Sequence, residues 1–141
     1  MKNLKNPNPF KMEYLVYCNI SATKWAAHLL YGEEHVSIEG ENIDSDKNRN
    51  ELQSTLEILQ FLRNWVDDKS VFTIYTNSQY TINCLERWIP LWIQKGFRIN
   101  HTANLRPNTD LLVKLHSFHT CMNVTLSQHY NDYEKYCSFF T

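Results

Sequence analysis

Leu52, Leu56, Leu59, Leu62 and Trp65 recur at the three- and four-residue spacing of an α-helix, an apolar stripe running through residues 49–66. Such a stripe must bury itself against a broad apolar surface, and that need limits what the rest of the chain can form. Strands supply the surface. Residues 13–19 are rich in Tyr and Val, residues 24–31 continue in the same vein, and in residues 36–43 Val36 and Ile38 precede Glu39-Gly40, as at an exposed edge. Three such segments in succession predict an antiparallel meander. Asp46 or Asn48 can cap the helix, and residues 70–76 read as a buried strand. Ser78 opens a helix bearing Ile82, Leu85 and Trp88, which Pro90 interrupts and which resumes through Gly96. Asn108 or Thr109 caps a further helix through Ser117, followed by a strand at 123–127 and a short helix near 132–140. The order βββ-α-β-αα-α-β-α predicts an α/β fold on a mixed sheet.

A chain of 141 residues, 43% of them hydrophobic, can bury the core of one domain. Asn6-Pro7-Asn8-Pro9 blocks both helix and ladder formation, so residues 1–11 read as a flexible tail and residues 12–141 as the domain. The tail is too polar for a secretory signal, and apolar runs such as 14–18 and 111–113 are far too short to cross a bilayer. Cys18, Cys84, Cys121 and Cys137 lack any Cys-x-x-Cys spacing and read as buried free thiols, which suits a reducing, intracellular compartment. Charge is spread unevenly: residues 31–68 hold ten acidic and three basic residues and carry a net −7, while each flank is net +3. Any contact with nucleic acid is therefore expected on the flanks.

From Tyr75 the chain reads Tyr-Thr-Asn-Ser-Gln-Tyr, with Trp88-Ile-Pro-Leu-Trp92 and Gly96-Phe97 beyond it; Asn48-Arg49-Asn50-Glu51-Leu52, Val16-Tyr17-Cys18-Asn19-Ile20-Ser21 and Arg106-Pro107-Asn108-Thr109-Asp110-Leu111 complete the set. In this order and spacing they resemble the ribonuclease H type 1 family over roughly residues 12–140. The resemblance implies a five-stranded mixed sheet, three antiparallel strands followed by parallel additions, with helices on both faces. It also implies a site in which Asp, Glu, Asp and Asp hold two Mg²⁺ ions that cut the RNA of an RNA/DNA hybrid. Here the first position is Asn19, the second Glu51, the third Asn77, and the last falls on Ser138, or on Phe139 if no residue is deleted after His129. Hard dications are held by carboxylates, and only Glu51 provides one. The sequence therefore predicts no metal, no cofactor and no intact catalytic set.

Further departures point the same way. Ile20 replaces a glycine that lets backbone approach RNA, Asp46 replaces a threonine of the DNA-phosphate pocket, and the flexible Gly-His loop keeps only His129. Binding positions are better preserved in the resemblance: Asn48 and Gln79 match minor-groove contacts, Trp88 a tryptophan that packs on DNA sugar, and Lys95, Arg98 and Arg106 a thinned basic handle. Helix caps and core packing account for several of these residues equally well, and His116, His119 and Cys121 read as a polar helix end. The expectation is an inactive domain acting as a structural or protein-interaction module within a protein partnership or nucleoprotein assembly, with weak RNA/DNA hybrid or RNA binding and no membrane. The alternative is an active ribonuclease H, dependent on Mg²⁺, carried as an Asp-to-Asn variant; Ile20, Asp46 and Ser138 count against it. In a pure docking module, Trp88, Trp92 and the aromatic tail at Tyr130, Tyr133, Tyr136, Phe139 and Phe140 would form the contact face.

Overall fold

A computed structural model describes residues 13–31, 34–42, 46–65, 70–99 and 102–128. Strands β1 (Glu13–Ile20), β2 (Lys24–Tyr31) and β3 (Glu34–Glu41) form the expected antiparallel meander. Helix α1 (Lys47–Trp65) then crosses to β4 (Val71–Thr76), which runs parallel to β1, and β5 (Asn123–Gln128) runs parallel to β4. The sheet order is β3-β2-β1-β4-β5. Alternation along β1 sends Tyr14, Val16, Cys18 and Ile20 into the core with Leu52, Leu56, Leu59 and Leu62 of α1. The apolar stripe of α1 thus lies on the sheet, and Trp65 meets Tyr14 edge to face at 5.6 Å. On the opposite face Tyr17 stacks on Tyr75 at 5.0 Å, and buried His28 pairs through Nδ1 with Ser37 Oγ at 2.9 Å. Burial and neighbouring His35 hold the His28 imidazole below its ordinary value.

Several boundaries differ from expectation. Asp46, not Asn48, caps α1: its carboxylate accepts the N–H groups of Asn48 and Arg49 at 2.9 and 3.3 Å, which starts the helix two residues early. β3 begins at Glu34, because the hairpin pairs Glu34 with Tyr31, and it ends at Glu41. Pro90 does not break the helical path. After α2 (Gln79–Asn83), Cys84–Trp88 forms a π-helical turn in which Ile89 N–H reaches Cys84 C=O, and Pro90 occupies the first turn of α3 (Ile89–Ile93). Proline cannot donate to the carbonyl four residues back, and the widened turn accommodates that loss. α3 stops before Gly96, where Gly96 and Phe97 adopt φ of 61° and turn the chain. α4 (Thr109–Cys121) extends a turn beyond Ser117. Cys18 and Cys84 are buried, burial pushing the Cys84 thiol up to about 11, but Cys121 is exposed, contrary to expectation. The tail at 1–11, Cys137, the helix near 132–140 and the aromatic tail residues lie outside the described residues.

Two side-chain clamps tie the helices to this frame. Arg49 makes a bidentate pair with Asp110 at 2.7 and 3.1 Å and also donates to Asn108 Oδ1 at 3.2 Å, joining α1 to α4. Glu86, in the π turn, accepts from Leu126 N–H of β5 and pairs with His119 of α4, each at 3.1 Å. Burial raises the Glu86 carboxyl, but the hydrogen bonds from His119 and Leu126 outweigh it and leave the group below the ordinary carboxylate value. A depressed carboxyl stabilises the fold above its unfolded value, and the contribution disappears as pH falls through its lowered folded value. Glu86→Ala is expected to cost about 1–2 kcal/mol at neutral pH, because Leu126 N–H loses its acceptor. Urea midpoints of variant and parent should converge as pH falls through the lowered folded value of Glu86, where the parent loses the same contribution.

Candidate functional site

The parallel pairing of β1 with β4 brings Asn19 and Asn77 to the same end of the sheet, and the first turn of α1 brings Glu51 towards the start of α2. The three matched positions therefore converge in the described fold, while Ser138 and His129 lie outside it. Ladder pairing ends at Cys18 with Thr76, and the Asn77 side chain continues it by one rung. Its Oδ1 accepts from Ile20 N–H at 2.9 Å and its Nδ2 donates to Ile20 C=O at 3.0 Å. The same Nδ2 donates to Asn19 Oδ1 at 2.9 Å. Ile20 dictates the orientation of the amide, since its N–H needs an acceptor and its C=O a donor. A carboxylate could meet the first demand and not the second.

Glu51 is committed elsewhere. Only 8% exposed, it accepts a short hydrogen bond from Ser78 Oγ, and Ser78 caps α2 by accepting Thr81 N–H at 3.2 Å while contacting Thr81 Oγ1 at 2.7 Å. Thr76 Oγ1 accepts Ser78 N–H at 3.1 Å. The carboxylate therefore sits in a hydroxyl network at a helix start, a favourable place for negative charge. Lys47 Nζ, on the exposed side, lies 3.9 Å from its other oxygen. The donor chemistry does not fit a pair of Mg²⁺ ions: the Asn77 amide is spent on Ile20 backbone and on Asn19 Oδ1, which accepts from it, and the one carboxylate serves a cap. Among the described residues, no three His, Cys, Asp or Glu side chains gather as metal ligands.

The expected binding residues separate into three groups. Asn48 is exposed on the first turn of α1 and is not its cap. Gln79 is tied down, donating to Asn83 Oδ1 at 2.9 Å and accepting from Gln128. Trp88 and Trp92 are half-buried in a stack: Tyr80 meets Trp88 at 6.3 Å, Trp88 meets Trp92 at 5.6 Å, and the Arg106 guanidinium lies 4.6 Å over Trp92. Arg106 thus packs in the handle as a cation–π group, leaving Lys95 and Arg98 as its exposed cations. Ile20, expected to crowd an approaching backbone, instead turns its side chain into the core at 8% exposure. Asp46, expected to repel a phosphate, spends its carboxylate on the helix cap. Sequence reasoning missed the roles of Ser78, Arg49 and Glu86. Ser78 could be recognised only as a helix start, because its partner Glu51 is 27 residues away.

Residues 14–130 match the RNase H family model. The chain is 34% identical over 103 residues to a ribonuclease H from Francisella philomiragia, covering 73% of this chain and 64% of that protein. It is 35% identical over 74 residues to a ribonuclease H from Hahella chejuensis, covering 52% of this chain and 47% of that one. It therefore spans less than two thirds of the length of either relative. Among solved structures, the PFV RNase H domain aligns with TM-score 0.66 at 12% identity, covering 84% of this chain and 79% of that domain. A foamy viral protease-reverse transcriptase in complex with RNA/DNA hybrid aligns with TM-score 0.63 at 14% identity, covering 89% of this chain and 18% of that one. These two structures bear on the fold, and the residue-level match bears on descent. With the meander, the parallel additions and the convergence of Asn19, Glu51 and Asn77 at one sheet end, this chain belongs to the ribonuclease H family.

Proposed function

We propose that this domain acts as an RNase H-like interaction module that performs no metal-dependent hydrolysis and has weak affinity for RNA/DNA hybrid or structured RNA. One observation carries the reading: the Asn77 carboxamide works as an amide, donating to Ile20 C=O and Asn19 Oδ1 while accepting from Ile20 N–H. The commitment of Glu51 to Ser78 and the net −7 of residues 31–68 support it. A role inside an assembly is supported by likeness to a domain that forms part of a larger protease-reverse transcriptase.

The test is hybrid cleavage and hybrid binding side by side, across a range of Mg²⁺ and Mn²⁺ concentrations, with calorimetric titration of the metals. Expected are no cleavage, no two-ion stoichiometry and weak, salt-sensitive hybrid binding. Lys95→Ala with Arg98→Ala is expected to reduce the slope of log affinity against log salt by about 2, one for each lost phosphate contact. Multiple-turnover cleavage that requires metal overturns the proposal.

A further inference from the structure

The two edges of the sheet are treated differently. On β5 the Leu126 N–H is taken by Glu86 from the π turn, whereas β3 lies at the other edge of the sheet. From His35 to Glu41 no β3 residue is buried: His35, Ser37, Glu39 and Glu41 are exposed on one face, and Val36, Ile38 and Gly40 are half-buried on the other. Val36 and Ile38 pack against the core, so the second face continues the apolar side of the sheet to its rim. Alternate residues of an edge strand direct N–H and C=O away from the sheet, a template for another strand. Beside Glu39 and Glu41 a cleft of about 640 Å³ opens, lined also by Asn19, Lys24 and Ala26.

We propose that β3 docks an extended segment of a partner protein in which apolar and basic residues alternate. This names the partner chemistry of the interaction module and rests on that reading. Side chains of an added strand alternate between faces as those of β3 do. Those on one face therefore extend the apolar rim at Val36 and Ile38. Those on the other lie beside Glu39 and Glu41, where the cleft has room for a long Lys or Arg stem and the two exposed carboxylates attract its charge. A second copy of this chain does not fit, because pairing β3 with itself sets Glu39 and Glu41 against another acidic strand. The acidic side chains thereby discourage self-pairing and select a cationic partner.

The experiment uses the full chain and a labelled peptide of the length of β3, 8 residues, alternating valine and lysine. Anisotropy measures affinity and hydrogen exchange reads the β3 amides. Expected are saturable binding, added protection confined to β3, and no binding of the valine–glutamate counterpart. Glu39→Gln with Glu41→Gln is expected to weaken binding about tenfold, and N-methylating the peptide amides that face β3 to abolish it. Binding insensitive to N-methylation, protection elsewhere than β3, or self-association through β3 overturns the inference. Hybrid cleavage is assayed on the same preparation: metal-dependent cleavage defeats the module reading, whereas failed peptide binding without cleavage defeats this inference alone.

Discussion

Gly40→Ala is expected to destabilise the domain by about 3 kcal/mol, towards the upper end of overpacking penalties. Gly40 stands opposite Trp25 in the β2–β3 ladder, and the indole lies against its backbone. A Cβ at Gly40 would fall 2.5 Å from both Cε2 and Nε1 of Trp25. The ring is 6% exposed and belongs to the core cluster, so relief requires either moving a packed tryptophan or splaying β3 from β2. Gly96→Ala provides the contrast. There the nearest atom is the flexible tip of Arg98 at 3.2 Å, and the main obstacle is a φ of 61°, a cost of about 1 kcal/mol. Urea midpoints of the two variants should differ in that order, and hydrogen exchange should show the Gly40 variant opening first along β3.

Restoring a carboxylate at position 77 is also expected to destabilise. Asn77→Asp keeps an acceptor for Ile20 N–H but removes the donor bond to Ile20 C=O and leaves anionic oxygen facing that carbonyl, while the Asn19 amide has to turn over to offer its Nδ2. The position is solvent-exposed although its backbone partner Ile20 is buried, which limits the cost to about 2 kcal/mol at neutral pH. The introduced carboxyl, with one oxygen held against the Ile20 carbonyl, would titrate above its ordinary range. The folded state would then bind the proton more tightly than the unfolded state, so the deficit is expected to shrink as pH falls through that raised value. Asn19→Asp together with Asn77→Asp would place two anions where one hydrogen bond now stands. Even with Ser138→Asp added, at most trace hybrid cleavage is expected, because Glu51 remains in the α2 cap. Thermal unfolding from pH 4 to pH 8 checks the first expectation, and a gel cleavage assay the second. A double variant as stable as the parent that turns over hybrid would show that the amide network is incidental.

Much of the frame was legible because it depends on local pattern. Tyr14, Val16 and Cys18 alternate as strand residues must, and Leu52, Leu56, Leu59 and Leu62 repeat as a buried helix face must. Boundaries failed where local chemistry offered two solutions: Asp46 and Asn48 can both cap, and the choice fell to the residue whose carboxylate reaches Asn48 and Arg49 N–H. Pro90 looks like a break in the sequence because pattern alone does not reveal a widened turn upstream. Motif order brought Asn19, Glu51 and Asn77 into view as a group. What each side chain does there was hidden, since Asn77 finds Ile20 across 57 residues and Arg49 finds Asp110 across 61. Such partners are selected by strand register and helix docking. Ile20 illustrates the limit most directly: its identity suggested obstruction, but its place in the β1 alternation sends the side chain inward.

The π-helical turn at Cys84–Trp88 carries one residue more than an α-helix would over the same path. Deleting a single residue within it would let the turn close as an α-helix over that same path. Trp92, Lys95 and Arg98 would keep their places, and the loss would fall on the turn itself. In genetic terms the turn is a position where one codon can be lost or gained without re-aiming the basic arm, so its direction is insulated from a change of length upstream.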